Sequence, residues 1–152
     1  MGKLISSILI ANRGEIALRV IRACKEMKIK SIALYSDEDL RSKHVKSADE
    51  AYYLGPPAPT KSYLNIDKII EIAESAGAEA IHPGYGFLSE NETFAAKCEE
   101  RGIIFIGPTS EAMALTGDKM KCKEIMKKAE VPTIPGSDDI LEEVDKAVEI
   151  AQ

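Results

Sequence analysis

The chain has 152 residues, of which 45% are hydrophobic and 30% are charged, and its formal net charge is −5. This length suffices for one domain with a buried core, and the composition is typical of a soluble globular protein. The acidic balance argues against general nucleic-acid binding, which normally needs a basic excess. No apolar run approaches the roughly 20 residues that cross a bilayer, and the amino terminus lacks the pattern of a secretory signal. We therefore expect a cytoplasmic protein that contacts neither nucleic acid nor membrane.

Short apolar runs alternate with helical patterns along the first two thirds of the chain. The runs predict five strands, at residues 5–11, 30–35, 51–54, 78–82 and 103–106. Strands that alternate with helices predict an α/β fold, in which a parallel sheet with right-handed crossovers carries helices on both faces.

The sequence also marks the helices between these strands. The first begins at Gly14, and its apolar side chains recur at helical spacing: Ile16, Val20, Cys24 and Met27. Its opposite side carries charges at the spacing of i,i+4 ion pairs on a solvated face: Glu15, Arg19, Arg22 and Glu26. Asn65 is predicted to cap the second helix and Gly77 to end it, while Ser89 is a candidate cap for the third.

The composition changes after residues 107–108. A helical stretch at 110–129 leads through a Pro/Gly connection at 132–136 into a last helix. That helix has an apolar stripe with nothing following to cover it, which indicates a truncated chain: Val144, Ala147, Val148 and Ala151. We divide the chain into a first domain at residues 1–110 and a helical segment at 111–152 that leads into another domain.

The cysteines and histidines do not form a recognisable metal or redox motif. Three cysteines are far apart in helical segments and are expected to be free thiols: Cys24, Cys98 and Cys122. His82 stands at a strand end, where a lone histidine usually satisfies a local hydrogen bond, and His44 has no assigned role. We therefore predict no metal site.

Two loops that follow predicted strands are candidate ligand sites. Residues 12–14 lie at the carboxyl edge of the sheet, where open α/β folds place ligands, and the helix start offers free N–H groups to an anion. They lack the Gly-x-Gly-x-x-Gly spacing of a dinucleotide site, so a purely structural role for Gly14 is the alternative. The loop at 83–90 combines two glycines with an aromatic ring, which allows close backbone approach and offers a flat surface to a ligand. In the alternative interpretation, Tyr85 packs in a turn and Glu90 assists the next helix start.

Three stretches resemble one protein family. They are residues 10–17 (IANRGEIA), residues 81–91 (IHPGYGFLSEN), and residues 105–108 (FIGP) followed by 117–119 (GDK). Together they are similar to the start of biotin carboxylases and to the matching regions of pyruvate, acetyl-CoA and propionyl-CoA carboxylases. The eleven-residue match at 81–91 is the specific one, and GDK alone would be weak support.

The resemblance implies a Rossmann-like domain at residues 1–110, followed at residues 111–152 by a helical linker and the start of a truncated ATP-grasp domain. It also implies an ATP-dependent ligase that phosphorylates bicarbonate to carboxyphosphate and then carboxylates biotin on a carrier domain. The implied cofactors of the full-length protein are ATP with magnesium, and biotin; its implied partners are the biotin carboxyl carrier domain, a carboxyltransferase and a second identical subunit. The family's catalytic and metal-binding residues lie beyond residue 152, so we assign none to this chain and expect no cofactor to bind it tightly.

Carried over by position, the resemblance assigns a role to several residues. Tyr85 and Gly86 would contact biotin, Glu90 would lie near bicarbonate, and Lys119 would contact ATP, the alternative being a solvated lysine. Three residues of the first helix would contribute to a two-fold dimer interface: Arg19, Arg22 and Glu26. The alternative functions are a non-catalytic nucleotide-binding or dimerisation module, and another ATP-grasp ligase, against which residues 83–91 argue. The final carboxyl acceptor is not encoded here, because a separate carboxyltransferase chooses it in this family.

Overall fold

The structure is a computed structural model that describes residues 5–117 and 119–134, together with residues 144 and 148. The chain divides into two compact units, Met1–Ser110 and Glu111–Gln152. The assignment of these units to the domains of a longer enzyme stays a prediction.

The first unit is built on a five-stranded sheet in which every paired strand runs parallel to its neighbour. The strands are β1 (Ser7–Ile10), β2 (Lys30–Ser36), β3 (Glu50–Gly55), β4 (Ala80–His82) and β5 (Ile104–Phe105). Their order across the sheet is β3-β2-β1-β4-β5, the arrangement of doubly wound, Rossmann-like folds. The predicted parallel α/β sheet is confirmed, although β1 and β5 are shorter than the apolar runs that marked them.

Helices lie between the strands of this unit. They are α1 (Gly14–Met27), α2 (Lys43–Ser47), α3 (Ile66–Ser75) and α4 (Glu92–Glu100), with 3₁₀ turns at Asp37–Asp39 and Pro59–Lys61. Asn65 caps α3 as predicted, because its side chain accepts a hydrogen bond of 3.1 Å from the Lys68 N–H. The cap of α4 is Asn91 and not Ser89, whose own N–H is used in a turn with the Gly86 carbonyl.

Alternate side chains of each central strand enter cores on opposite faces of the sheet. On β1, Leu9 packs with residues of α3 and α4, whereas Ile8 and Ile10 pack with residues of α1. A strand covered on both faces reads as a continuous apolar run, which explains the sequence pattern. Full burial of each such side chain contributes roughly 1.5–3 kcal/mol, so β1 is a main source of stability at the centre of the sheet.

The buried face of α1 differs in part from the predicted stripe. The residues of α1 that are buried are Ala17, Val20, Ile21 and Cys24. Met27, predicted to face the core, is 69% exposed because it lies at the end of the helix, just before Lys28 takes a left-handed conformation and the chain turns toward β2. Cys24 and Cys98 are buried free thiols and Cys122 is half-buried, as predicted.

The second unit is helical over most of its described residues, up to Lys128. α5 (Ser110–Gly117) begins at the end of the first unit, and α6 (Lys119–Lys128) follows it. The sequence predicted one helical stretch over 110–129. Asp118, directly before Lys119, lies outside the described residues, as does most of the predicted last helix.

Candidate functional site

The order of the strands creates one crevice at the carboxyl edge of the sheet. From β1 the chain builds outward through β2 and β3, then returns to the other side of β1 to form β4 and β5. The connections that leave β1 and β4 therefore lead to helices on opposite faces of the sheet, and a crevice opens between the first residues of the two loops. Open α/β sheets place ligands at such a point. Asn12 follows β1, and residues 83–91, which we call the switch-point loop, follow β4. Both candidate loops identified in the sequence thus meet at the same place.

Asn12 ties the switch-point loop to the end of β1. Its Nδ2 donates hydrogen bonds of 2.8 Å to both the Pro83 and the Tyr85 carbonyl oxygens, and the side chain is buried. Between those two residues, Gly84 has a left-handed backbone, with φ of +69°, and a Cβ there would lie 2.7 Å from Asn12 Nδ2. The Asn12 side chain therefore shapes the switch-point loop by binding the backbone of that loop. The position of Asn12 after a strand did not reveal this role.

His82 makes a local hydrogen bond at the start of this loop, as its position at a strand end predicted. Its Nδ1 accepts a hydrogen bond of 3.0 Å from the Gly84 N–H, so the neutral ring carries its proton on Nε2. Burial lowers the pKa of His82, which favours this neutral form.

Tyr85 and Gly86 form the exposed crest of the switch-point loop. The Tyr85 ring is 63% exposed, and its hydroxyl donates a hydrogen bond of 3.2 Å to Glu15 Oε2. That hydrogen bond raises the pKa of Tyr85. Gly86 has a φ of +66°, and nothing lies within 4 Å of where its Cβ would be. The pair offers a flat ring beside open backbone, a surface on which a small planar group can rest.

At the carboxyl end of the switch-point loop, one side chain is buried in the core and another is exposed to solvent. Leu88 is buried in the core beneath α3 and α4. Glu90 is exposed, and within the described part of the chain its carboxylate has no hydrogen-bonding or ionic partner. The structure therefore places Tyr85, Gly86 and Glu90 on one loop, with a carboxylate available to a ligand.

The predicted interface residues lie together on α1. Arg19, Arg22 and Glu26 are all exposed. Among the described residues, neither Glu15 with Arg19 nor Arg22 with Glu26 forms the ion pair predicted from its spacing, and Glu15 binds Tyr85 instead. Among the described residues, Arg19, Arg22 and Glu26 therefore have no partner within the chain, and they are available to a second subunit.

Lys119 belongs to the second unit, where it is the first residue of α6 and is exposed. Within the described residues, no group of three histidine, cysteine, aspartate or glutamate side chains could hold a metal ion. None of the described helices has the length and apolar character needed to span a membrane.

The parallel sheet, the switch-point loop and Gly84, held against Asn12, define an α/β domain with a candidate ligand site at the carboxyl edge of the sheet. The sequence of this chain matches the family described as biotin carboxylase, N-terminal domain, over residues 4–113. The chain belongs to that family.

Individual relatives agree with this assignment. The chain is 57% identical over 95% of its length to the 2-oxoglutarate carboxylase small subunit of Hydrogenobacter thermophilus, and 50% identical over 97% to biotin carboxylase 1 of Bacillus subtilis. It covers 30% and 33% of those two proteins, so it spans about a third of their length.

A solved structure also matches closely. It is the biotin carboxylase domain dimer of the H. thermophilus 2-oxoglutarate carboxylase, in complex with MgADP, ADP and bicarbonate. The TM-score is 0.89 at 54% identity, and the match covers 99% of this chain and 33% of that one. The fold described here is therefore that of the corresponding third of a biotin carboxylase domain.

Proposed function

We propose that this chain forms the amino-terminal part of a biotin carboxylase, an ATP-dependent ligase that carboxylates carrier-bound biotin with bicarbonate. The observation that carries the proposal is the family match over residues 4–113, which includes the switch-point loop at the ligand-binding edge of the sheet. The family match also favours a carboxylase over the other ATP-grasp ligases considered from the sequence.

The proposed reaction has two steps. An oxygen of bicarbonate attacks the γ-phosphorus of ATP, the bond to ADP breaks, and carboxyphosphate forms. A ureido nitrogen of biotin then attacks the carboxyl carbon, the C–O bond to phosphate breaks, and the ureido proton passes to the departing phosphate. Both steps need water to be excluded and the reactants to be held in line, so loops that position biotin are as necessary as the groups that bind phosphate.

The switch-point loop supplies the biotin and bicarbonate side of this site. The exposed Tyr85 ring forms a surface for the bicyclic ring of biotin, and Gly86 allows the ligand to approach the backbone closely. The Glu90 carboxylate, which has no partner among the described residues, can accept a hydrogen bond from a ligand N–H or pair with a cation near bicarbonate. A carboxylate cannot face bicarbonate directly without such a partner, because like charges repel.

Lys119 is proposed to contact ATP from the start of α6. Its exposed ammonium can make charge-assisted hydrogen bonds with phosphate or adenine acceptors. We assign no magnesium ligand and no catalytic residue to this chain.

The proposed assembly contains more than this chain. A biotin carboxyl carrier domain would deliver biotin, and a carboxyltransferase would pass the carboxyl group to an acceptor that this chain does not select. The related 2-oxoglutarate carboxylase domain forms a dimer, and we propose that this protein dimerises through Arg19, Arg22 and Glu26 of α1.

The experiment that tests this function replaces Tyr85 or Glu90 in the full-length protein. Tyr85→Ala and Glu90→Gln should each lower the rate of biotin carboxylation by about tenfold or more, because both contact substrates. The thermal midpoint should change little, because both side chains are exposed. Rate and midpoint are measured on the same preparations.

Two matched controls lie outside the loop. Tyr53→Ala removes a half-exposed tyrosine at the edge of the sheet, and Glu100→Gln neutralises an exposed carboxylate at the end of α4. Both should retain the wild-type rate. A loss of activity in the loop variants that only followed a falling midpoint would make the loop structural and remove it from the biotin site.

A further inference from the structure

Phe87 has the least favourable backbone conformation in the switch-point loop. Its φ is +40°, in the left-handed region that bulky side chains rarely occupy. Such a residue persists only when its surroundings hold it there, and strained residues of this kind concentrate at ligand sites. Phe87 directly follows Gly86 and precedes the buried Leu88, so its conformation sets the direction in which the crest of the loop points.

An aromatic and cationic stack holds the Phe87 side chain. The Phe87 ring stacks on Tyr63 with centroids 5.1 Å apart and planes inclined by 13°. The Arg13 guanidinium carbon lies 5.5 Å from the Tyr63 centroid and 5.6 Å from the Phe87 centroid. Both distances are within the range in which a cation is attracted to an aromatic face.

Asp39 fixes the other members of this stack. Its Oδ2 accepts a hydrogen bond of 2.8 Å from the Tyr63 hydroxyl and one of 2.7 Å from the Ser36 hydroxyl, and it lies 3.9 Å from Arg13 Nη1. Burial raises the pKa of Asp39, but the hydrogen bonds from Ser36 and Tyr63 outweigh it, and the pKa is lowered. The carboxylate is therefore charged at neutral pH and can orient Arg13 over the two rings.

The four residues come from four different loops at the carboxyl edge of the sheet. Arg13 follows β1, Asp39 follows β2, Tyr63 follows β3 and Phe87 follows β4. Tyr63 is 1% exposed and Asp39 is 8% exposed, so these two are enclosed by the protein, whereas Arg13 and Phe87 are half-buried next to the crevice. This arrangement links the conformation of the switch-point loop to the other three loops at the carboxyl edge of the sheet.

We propose that Arg13, Asp39 and Tyr63 are positioning residues that hold Phe87 in its left-handed conformation and thereby place Tyr85, Gly86 and Glu90 for biotin. The assignment of the loop to biotin rests on the proposed function, whereas the clamping of the loop does not. Tyr63 and Arg13 contact the Phe87 side chain from the core side of the loop. These residues therefore act on the substrate through the loop backbone and not by direct contact.

The test uses three variants of the full-length carboxylase. Phe87→Leu keeps an apolar side chain and the strained backbone but removes the flat ring. Phe87→Tyr keeps the ring at this half-buried position and serves as the conservative rescue. Arg13→Gln removes the cation from the stack at a half-exposed position, and it keeps the test decisive if Phe87→Leu does not fold.

Two measurements separate positioning from stability. Hydrogen exchange followed by mass spectrometry on peptides spanning residues 83–91 should be faster in Phe87→Leu and Arg13→Gln than in wild type, while peptides from α3 should not change. The KM for free biotin should rise, or kcat should fall, by about 10- to 100-fold, because small displacements of a positioning loop have effects of that size. The KM for ATP should stay the same, and Phe87→Tyr should behave as wild type in every measurement.

The outcomes distinguish this inference from the proposed function. Unchanged exchange in the loop peptides would overturn the clamp, whatever the kinetics show. Faster exchange with unchanged biotin kinetics, in an enzyme that Tyr85→Ala does impair, would overturn the link from clamp to substrate and leave the proposed function intact. If Tyr85→Ala and Glu90→Gln leave carboxylation unchanged, the loop's assignment to biotin fails, and the exchange measurement still decides the clamp.

Discussion

At the scale of single residues, the site depends on a contact between one side chain and a glycine backbone. Asn12 Nδ2 bonds the carbonyls on both sides of Gly84, and this close approach leaves no room for a Cβ. Gly84 is therefore required for two separate reasons, its left-handed φ and its lack of a side chain.

Gly84→Ala should destabilise the protein more than an alanine at another left-handed glycine. Gly102 is the matched control, because its φ of +66° is nearly the same but nothing lies within 4 Å of the position of its Cβ. Strain alone should cost about 1–2 kcal/mol at either site, and the clash with Asn12 should add to it at Gly84. Urea denaturation of both variants measures the difference. Equal losses would mean that the Asn12 contact yields easily and does not shape the loop.

His44 gives a prediction about pH. It is 1% exposed, its Nε2 lies 3.2 Å from the Leu34 carbonyl oxygen, and its Nδ1 has no partner within the described residues. Burial lowers the pKa of His44 below the ordinary 6.5, although the hydrogen bond to Leu34 opposes this. The unfolded chain then takes up the proton at a higher pH than the folded one.

The free energy of unfolding should therefore fall as the pH drops below about 6.5, by no more than about 1.4 kcal/mol per pH unit from His44. His44→Gln can keep the bond to Leu34 and should show a smaller loss over this range. His82, whose pKa is also lowered, contributes in the same direction in both proteins. Aspartates with lowered pKa values act only at more acidic pH, below 3.8. Identical pH slopes for the two proteins would show that His44 does not titrate in this window.

At the scale of elements, α1 links the candidate site to the proposed subunit interface. Its inner face is buried against the sheet, its first turn holds Tyr85 through Glu15, and its outer face carries Arg19, Arg22 and Glu26. One helix could therefore transmit a change at an interface to the switch-point loop.

Arg22→Glu should weaken the dimer of the full-length protein, because reversing one charge in an interface introduces like-charge repulsion. Arg41→Glu makes the same change of charge at an exposed position outside α1 and should leave the dimer unchanged. Sedimentation equilibrium of the three proteins at matched concentration measures the association constant. An Arg22→Glu variant that is as dimeric as wild type would remove this face of α1 from the interface.

The elements that the sequence predicted well are those with local causes. Continuous apolar runs marked the buried strands, and Asn65 capped α3 because a cap needs only a side chain and the N–H three residues later. The carboxyl end of α1 and the start of α4 were less predictable. Met27 lies beyond the part of α1 that the sheet covers. Ser89 belongs to the turn before α4, where its N–H is bonded to the Gly86 carbonyl. Two cap-type residues two positions apart, Ser89 and Asn91, look alike until the turn between Gly86 and Ser89 is known.

The geometry of the candidate site could be predicted only in part. The motif at 81–91 identified the switch-point loop, because two glycines and a tyrosine after a strand are a local signal. The contacts that shape this loop join residues about 70 positions apart in the sequence, such as Asn12 with Pro83 and Tyr85. No periodicity or spacing encodes such pairings. The stack of Arg13, Tyr63 and Phe87 was missed for the same reason.

At the scale of the whole molecule, the chain supplies one side of a proposed active site. It spans about a third of its carboxylase relatives, and its own described residues lack a group that could bind a metal ion. Phosphoryl transfer requires bridging metal and backbone donors around the phosphates. We therefore expect that these 152 residues alone release no more phosphate from ATP than a control without enzyme.

The most direct test of the central claim is the transfer of labelled bicarbonate carbon to biotin by the full-length protein. With ATP and magnesium present, we expect label to enter biotin in amounts that match the phosphate released, and no label to enter when the 152-residue chain replaces the full-length protein. Full-length protein that hydrolyses ATP without labelling biotin would contradict the proposed activity. Magnesium-dependent hydrolysis by the 152-residue chain that survives repurification would contradict our placement of the catalytic groups outside it.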